Sequence, residues 1–154
     1  MEPVEVTTYA LHSVFAGVWT GAVVFVTLTI LPIAKEGNLN ASPLGHVVSR
    51  LTTVSRASAL ILFLTWSHMA AARYTGESLT STDGGYLVLF MILLWLLLAA
   101  TVEIGASRLQ DGTEKDKVRE PARNTWYIFV TASVFASLLL VTAGLLSANH
   151  VGFL

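Results

Sequence analysis

Four histidines and three methionines are the side chains of this chain best suited to hold a metal inside an apolar setting. His12 stands in the stretch LHSVFAGVWTG, with Trp19 seven residues later and Gly21 two beyond that. His68 is followed at once by Met69; Met91 lies in a later apolar stretch, His150 just after the last one, and His46 stands apart. Imidazole with thioether suits copper, because soft sulfur favours Cu(I) and imidazole accepts either oxidation state. Two imidazoles, or an imidazole and a thioether, on facing helices can also hold a haem iron. There is no cysteine, which excludes disulfides, thiolate metal sites and cysteine nucleophiles. With no thiolate and no carboxylate among these residues, zinc is a poor match. No nucleophile–base pair, phosphate loop or nucleotide motif is visible. The competing reading is structural, since Met commonly fills gaps in apolar packing and histidines are common near helix ends.

The elements that must carry these residues follow from composition. The chain has 154 residues, 54% of them hydrophobic and 12% charged, with a mean hydropathy of +0.67. A soluble domain carries about 25% charged residues. Four apolar stretches account for the difference: Thr8–Ile33, Leu51–Ala72, Tyr86–Ala106 and Trp126–Ala148. Each reaches the ~20 residues needed to cross a bilayer. In lipid every backbone polar group must be paired internally, so each stretch is expected to be a helix. The predicted fold is all-α, one four-transmembrane-helix domain over residues 1–154 in up-down-up-down order, with helices at about 6–33, 43–74, 84–108 and 121–148. Glu2 and Glu5 precede the first stretch where a cleaved signal peptide would have basic residues, and the stretch is too long for one. A net charge of −1 points to no nucleic-acid partner; the partner implied is the bilayer, and four helices make a thin wall that a homodimer would thicken.

Charge and aromatic placement orient the bundle. Lys35, Arg50 and Arg56 lie between the first and second stretches or at their edges. Arg108, Lys115, Lys117, Arg119 and Arg123 lie between the third and fourth. Only Arg73 lies at the opposite side, and both termini lack Lys and Arg, a bias of eight to one. The positive-inside rule then puts both termini outside a cell or inner membrane. Tyr9, Tyr74 and Tyr86 fall at the outer boundary and Trp126-Tyr127 at the inner one, as an aromatic belt would have them. Ser42-Pro43 reads as a helix start, Thr82 or Asp83 as a cap, and Pro121 as a first helical residue. GESLTSTDGG reads as the outer loop and DGTEKDK as a polar inner loop.

Depth then gathers the candidate ligands. His12 is ~9 Å along the first helix from Val6, His68 ~9 Å from the end of the second at Tyr74, and Met91 ~10 Å along the third from Gly84. His150 follows the end of the fourth. His12, His68 and Met91 thus share one level near the outer face, with His12 and His68 expected to face each other and His150 as a further candidate ligand. An ionisable residue inside a membrane span is a functional candidate by default. Trp19 lies two turns deeper than His12, as packing or as a wall of the same cavity. Gly17 and Gly21 form a GxxxG step, expected to pack closely against a neighbour, or else to leave room for a flat macrocycle. Near the inner boundary Arg56, ~27 Å from Tyr74, and Glu103, ~28 Å from Gly84, share a depth and are expected to pair.

His12, Trp19, Gly21, Phe25 and Pro32, in LHSVFAGVWTGAVVFVTLTILP, resemble the first-helix pattern of CopD-like membrane proteins, in which His precedes Trp-x-Gly and Pro closes the helix. The resemblance covers mainly the first helix. It implies copper resistance or uptake across the inner membrane, with His12 as the residue carried over. Larger CopD proteins have about twice as many helices, so this chain would be a minimal version. The same pattern is similar to HemJ, a haem-associated protoporphyrinogen oxidase, in which the Pro is followed by Arg; here Leu31-Pro32-Ile33 has none. The function expected is copper binding or transport through a site of His12, His68, Met91 and His150, walled by Trp19. The alternatives are a b-type haem protein, as electron carrier or porphyrin enzyme, and an accessory subunit without a cofactor.

Overall fold

The first membrane span, Pro3–Glu36, is a single helical path with one defect. It divides into α1 (Pro3–Phe25), a π-helical turn at Val26–Ile30 and α2 (Leu31–Glu36). Pro32 explains the defect. It has no N–H for the carbonyl four residues back, and its ring crowds that carbonyl, so the turn before it widens. Thr27, inside the wide turn, donates to Val23 O at 2.8 Å. Ser133 donates in turn to Thr27 Oγ1 at 2.9 Å, tying the turn to the last helix. α2 ends in a Schellman cap: Gly37 takes φ +80°, and the N–H groups of Gly37 and Asn38 reach Ala34 O and Ile33 O.

The computed structural model describes residues 3–71 and 74–150, with side chains through 148. Its further elements are α3 (Ala41–Ala71), α4 (Gly76–Ser81), α5 (Asp83–Thr113) and α6 (Arg119–His150), and there is no strand among the described residues. Four helices are long and apolar enough to cross a membrane: Pro3–Glu36, α3, α5 and α6 through Ala148. The chain is an all-α four-helix bundle of a multi-pass membrane protein. Consecutive spans run antiparallel. α1 packs against α3, α3 against α5, α5 against α6, and α6 back against α1 and α2, closing a ring.

Lipid tails are as apolar as leucine, so packing between such helices depends on close fit and small residues. The inward face of α3 is a seam at alternating three- and four-residue steps: Leu44, Val48, Leu51, Ser55, Ser58, Leu62 and Thr65 are all buried. On α6 the buried residues Ala122, Thr125, Phe129, Ala132 and Ala136 follow the same rhythm. α5 answers with glycine. A Cβ on Gly105 would lie 2.8 Å from the Phe129 ring, and one on Gly112 would lie 2.2 Å from Pro121 Cγ. Gly17 and Gly21 behave otherwise. A Cβ on either meets nothing within 4 Å, so the GxxxG step is not the close-packing seam expected of it.

Helix ends differ from the sequence reading in instructive ways. α3 starts at Ala41, with Leu44 N bonded to Asn40 O, so Pro43 occupies the third helical position, where its missing N–H also costs nothing. Pro121 likewise sits third in α6. Thr82 does cap α5, accepting from Gly85 N at 3.0 Å. α5 runs on to Thr113, absorbing the first three residues of the expected DGTEKDK loop, because Leu109 is still buried there and Gly112 still packs against Pro121 of α6. Within the other loop, Thr75 and Ser78 form a reciprocal capping box that starts α4.

A histidine-edged cavity among four helices

Thr65 ends the buried seam of α3, and directly opposite it on α1 stands His12. His12 Nδ1 and Thr65 Oγ1 are 2.8 Å apart. The threonine hydroxyl has one proton and reaches Ile61 O at 2.8 Å and Leu62 O at 3.2 Å, back along its own helix. With that proton given to its own helix, Oγ1 meets the histidine as an acceptor, and the matching tautomer of His12 donates from Nδ1 and has its lone pair on Nε2. A histidine whose one ring N–H is tied down so that the other nitrogen is basic and fixed in direction is in the state of a metal ligand.

His12 edges a cavity of about 470 Å³ with walls from α1, α3, α5 and α6. The walls are almost wholly apolar and strongly aromatic, with Trp19, Phe63, Trp66 and Trp95 prominent, and Met91 contributes the one thioether. Trp19 is buried, and its indole N–H donates to Ser55 Oγ at 2.8 Å, which fixes the ring as a wall. Phe63 and Trp95 lie with ring centroids 5.9 Å apart. The indole N–H of Trp95 is enclosed and has no hydrogen-bond partner.

The expected ligands fare differently. His12 and Met91 line one cavity, and Trp19 is its wall. His68 does not line it and is exposed. The α3 seam, continued by one four-residue step from Thr65, reaches Met69, and His68 is one residue off it. The expectation that His12 faces His68 is thus replaced by the His12–Thr65 contact. The His150 side chain lies outside the described residues. His46 is exposed and donates from Nδ1 to Ser42 O at 2.8 Å. In the other half of the bundle, Arg56 and Glu103 form a two-pronged ion pair between α3 and α5, with Arg56 Nε donating to Glu103 Oε2 at 3.3 Å.

What the cavity could hold follows from its donors. No group of three or more His, Cys, Asp or Glu side chains gathers among the described residues. The described residues that line the cavity include one imidazole, His12, and one thioether, Met91. A bare ion needing four protein ligands would be under-coordinated there. An iron tetrapyrrole brings four nitrogens of its own and asks the protein for one or two axial ligands, His alone or His with Met. The volume agrees, since ~300–1,000 Å³ is the range of sites for organic ligands, whereas a single water occupies only ~30 Å³. His12 and Met91 thus supply the one or two ligands that a haem iron asks of the protein, and are also the two donors that a two-coordinate Cu(I) ion would take. Comparison with known protein families, curated proteins and solved structures finds no match to this chain.

Proposed function

We propose that this membrane protein binds a b-type haem in the aromatic cavity, with His12 Nε2 as the atom that would hold its iron, and that it carries electrons within the membrane. The observation that carries the reading is the His12–Thr65 hydrogen bond, which in the Nδ1–H tautomer leaves the Nε2 lone pair free on a residue that edges a large apolar cavity. Thr65 holds the imidazole in one tautomer and orientation. The Trp19–Ser55 hydrogen bond keeps one wall in place, and the surrounding apolar side chains exclude water. Met91 is the second candidate ligand. Bound there, haem would supply one-electron redox chemistry, its potential set by the axial ligands and the low dielectric of the walls.

A second reading is copper binding or transport, and Met91 is the observation that favours it. A thioether on the wall that also carries His12 is a Cu(I) donor pair. The charge bias favours both termini outside the cell membrane, with the cavity near the outer face. A phosphatase fused after residue 154 would then be active, and an inactive, well-expressed fusion would reverse that orientation.

Optical absorption of the purified protein separates the readings. A Soret band that co-purifies with the protein, or forms on adding haem at one equivalent, supports the haem site. A colourless protein that refuses haem but takes up Cu(I) one to one overturns it in favour of copper. Refusal of both overturns each and leaves helix association as the role of the polar residues.

A further inference from the structure

At the opposite end of the bundle, Pro32, Lys35, Glu36, Arg119 and Arg123 surround a second hollow of about 280 Å³, between the end of α2 and the start of α6. Three cations and one carboxylate give it a formal charge of +2. Among the described residues that charge has no ion-pair partner. The ion pairs among the described residues are Arg56–Glu103 and Lys117–Glu120, so no carboxylate stands within 4.0 Å of Lys35, Arg119 or Arg123. Glu36 is engaged elsewhere, its Oε2 accepting from Asn38 Nδ2 at 3.1 Å.

Two of the cations are seated rather than loose. The Lys35 ammonium lies 4.0 Å from the centroid of the Trp126 ring, a cation–π contact that positions the charge without neutralising it. The Arg119 side chain rests on the Schellman turn: a Cβ at Gly37 would fall 2.0 Å from its Nε. Arginine offers a planar fork that matches two oxygens of one phosphate, and lysine adds a point charge beside it. The hollow also lies where two membrane-spanning helices end, the level of lipid headgroups. Basic pockets between transmembrane helices at that level are suited to anionic headgroups.

We infer that this hollow is a binding site for a phosphate-bearing anion, with Arg119, Arg123 and Lys35 as its contacts, filled in the membrane by the phosphodiester of an anionic lipid. The site is independent of the cavity edged by His12. The full-length protein, reconstituted in nanodiscs of phosphatidylcholine and in nanodiscs containing phosphatidylglycerol, provides the test. Thermal unfolding should shift upward with phosphatidylglycerol, and the shift should shrink at high salt. Arg119→Gln with Arg123→Gln should abolish it, and Arg123→Gln alone, which leaves Arg119 on its turn, should reduce it. Lys115→Gln, outside the hollow, should keep it in full. An equal shift from inorganic phosphate in phosphatidylcholine discs, lost in the same double variant, upholds the anion site but assigns it to free phosphate and overturns the lipid as its source. A phosphatidylglycerol shift that survives in the double variant, or no shift from either anion, overturns the site.

Discussion

His12 and Thr65, 53 positions apart in the chain, meet at 2.8 Å across the α1–α3 interface, where the threonine accepts when its own proton is given to Ile61 O. Among the described residues His12 is the histidine that edges the aromatic cavity, and this contact holds its ring.

Replacing the acceptor tests that statement. Thr65→Val keeps the shape of the side chain and removes the oxygen, so the imidazole loses its tether. Loss of such an orienting partner weakens metal-centre binding by about 10–100-fold. Haem titration of the reconstituted protein should show a fall of that size, and Thr65→Ser, which restores a hydroxyl, should recover most of it. Equal affinity in Thr65→Val and the parent protein would contradict the role assigned to Thr65.

His68 makes the opposite prediction. It is exposed and does not line the cavity. His68→Ala should therefore leave haem affinity and the position of the Soret band unchanged. A lost or shifted band would mean that His68 reaches the cofactor by a rearrangement of α3.

How far the site was readable from sequence depends on the residue. The four spans were legible because long apolar runs have few other uses. Depth counting also brought His12 and Met91 to one level, and Arg56 level with Glu103. What depth cannot supply is the direction in which a side chain points around its helix. His68 has the right depth and the wrong angle. Thr65, in LFLTWSHM, carries no chemical signal of its own; its role emerges only from the three- and four-residue spacing it shares with Ser55, Ser58 and Leu62. The extension of α5 through DGT was masked by a composition that favours turns, and burial of Gly112 against α6 overrides it.

The Arg56–Glu103 pair joins α3 to α5 in the other half of the bundle. Glu103→Gln leaves the guanidinium without its counter-charge and should lower the thermal unfolding temperature. Removing both charges, with Arg56→Gln added, should be less harmful than removing one. Haem binding should be untouched in both variants, because neither residue lines the cavity. A single variant as stable as the parent would show that the pair does not clasp the helices.

Glycine contacts give a stability test with opposite signs. Gly112→Ala drives a methyl toward Pro121 Cγ and should cost about 1–3 kcal/mol, as overpacking does. Gly17→Ala meets open space and should be neutral or slightly stabilising. Chemical denaturation in detergent can compare the two. A Gly112→Ala protein as stable as the parent would mean that α5 and α6 are less closely packed than described.

The most direct measurement of the central claim is absorption spectroscopy of His12→Gly with and without added imidazole. The account predicts a Soret band in the parent protein, its loss or strong blue shift in His12→Gly, and its return when free imidazole occupies the space vacated beside Thr65. A His12→Gly protein that keeps the parent spectrum without imidazole would contradict His12 as the ligand.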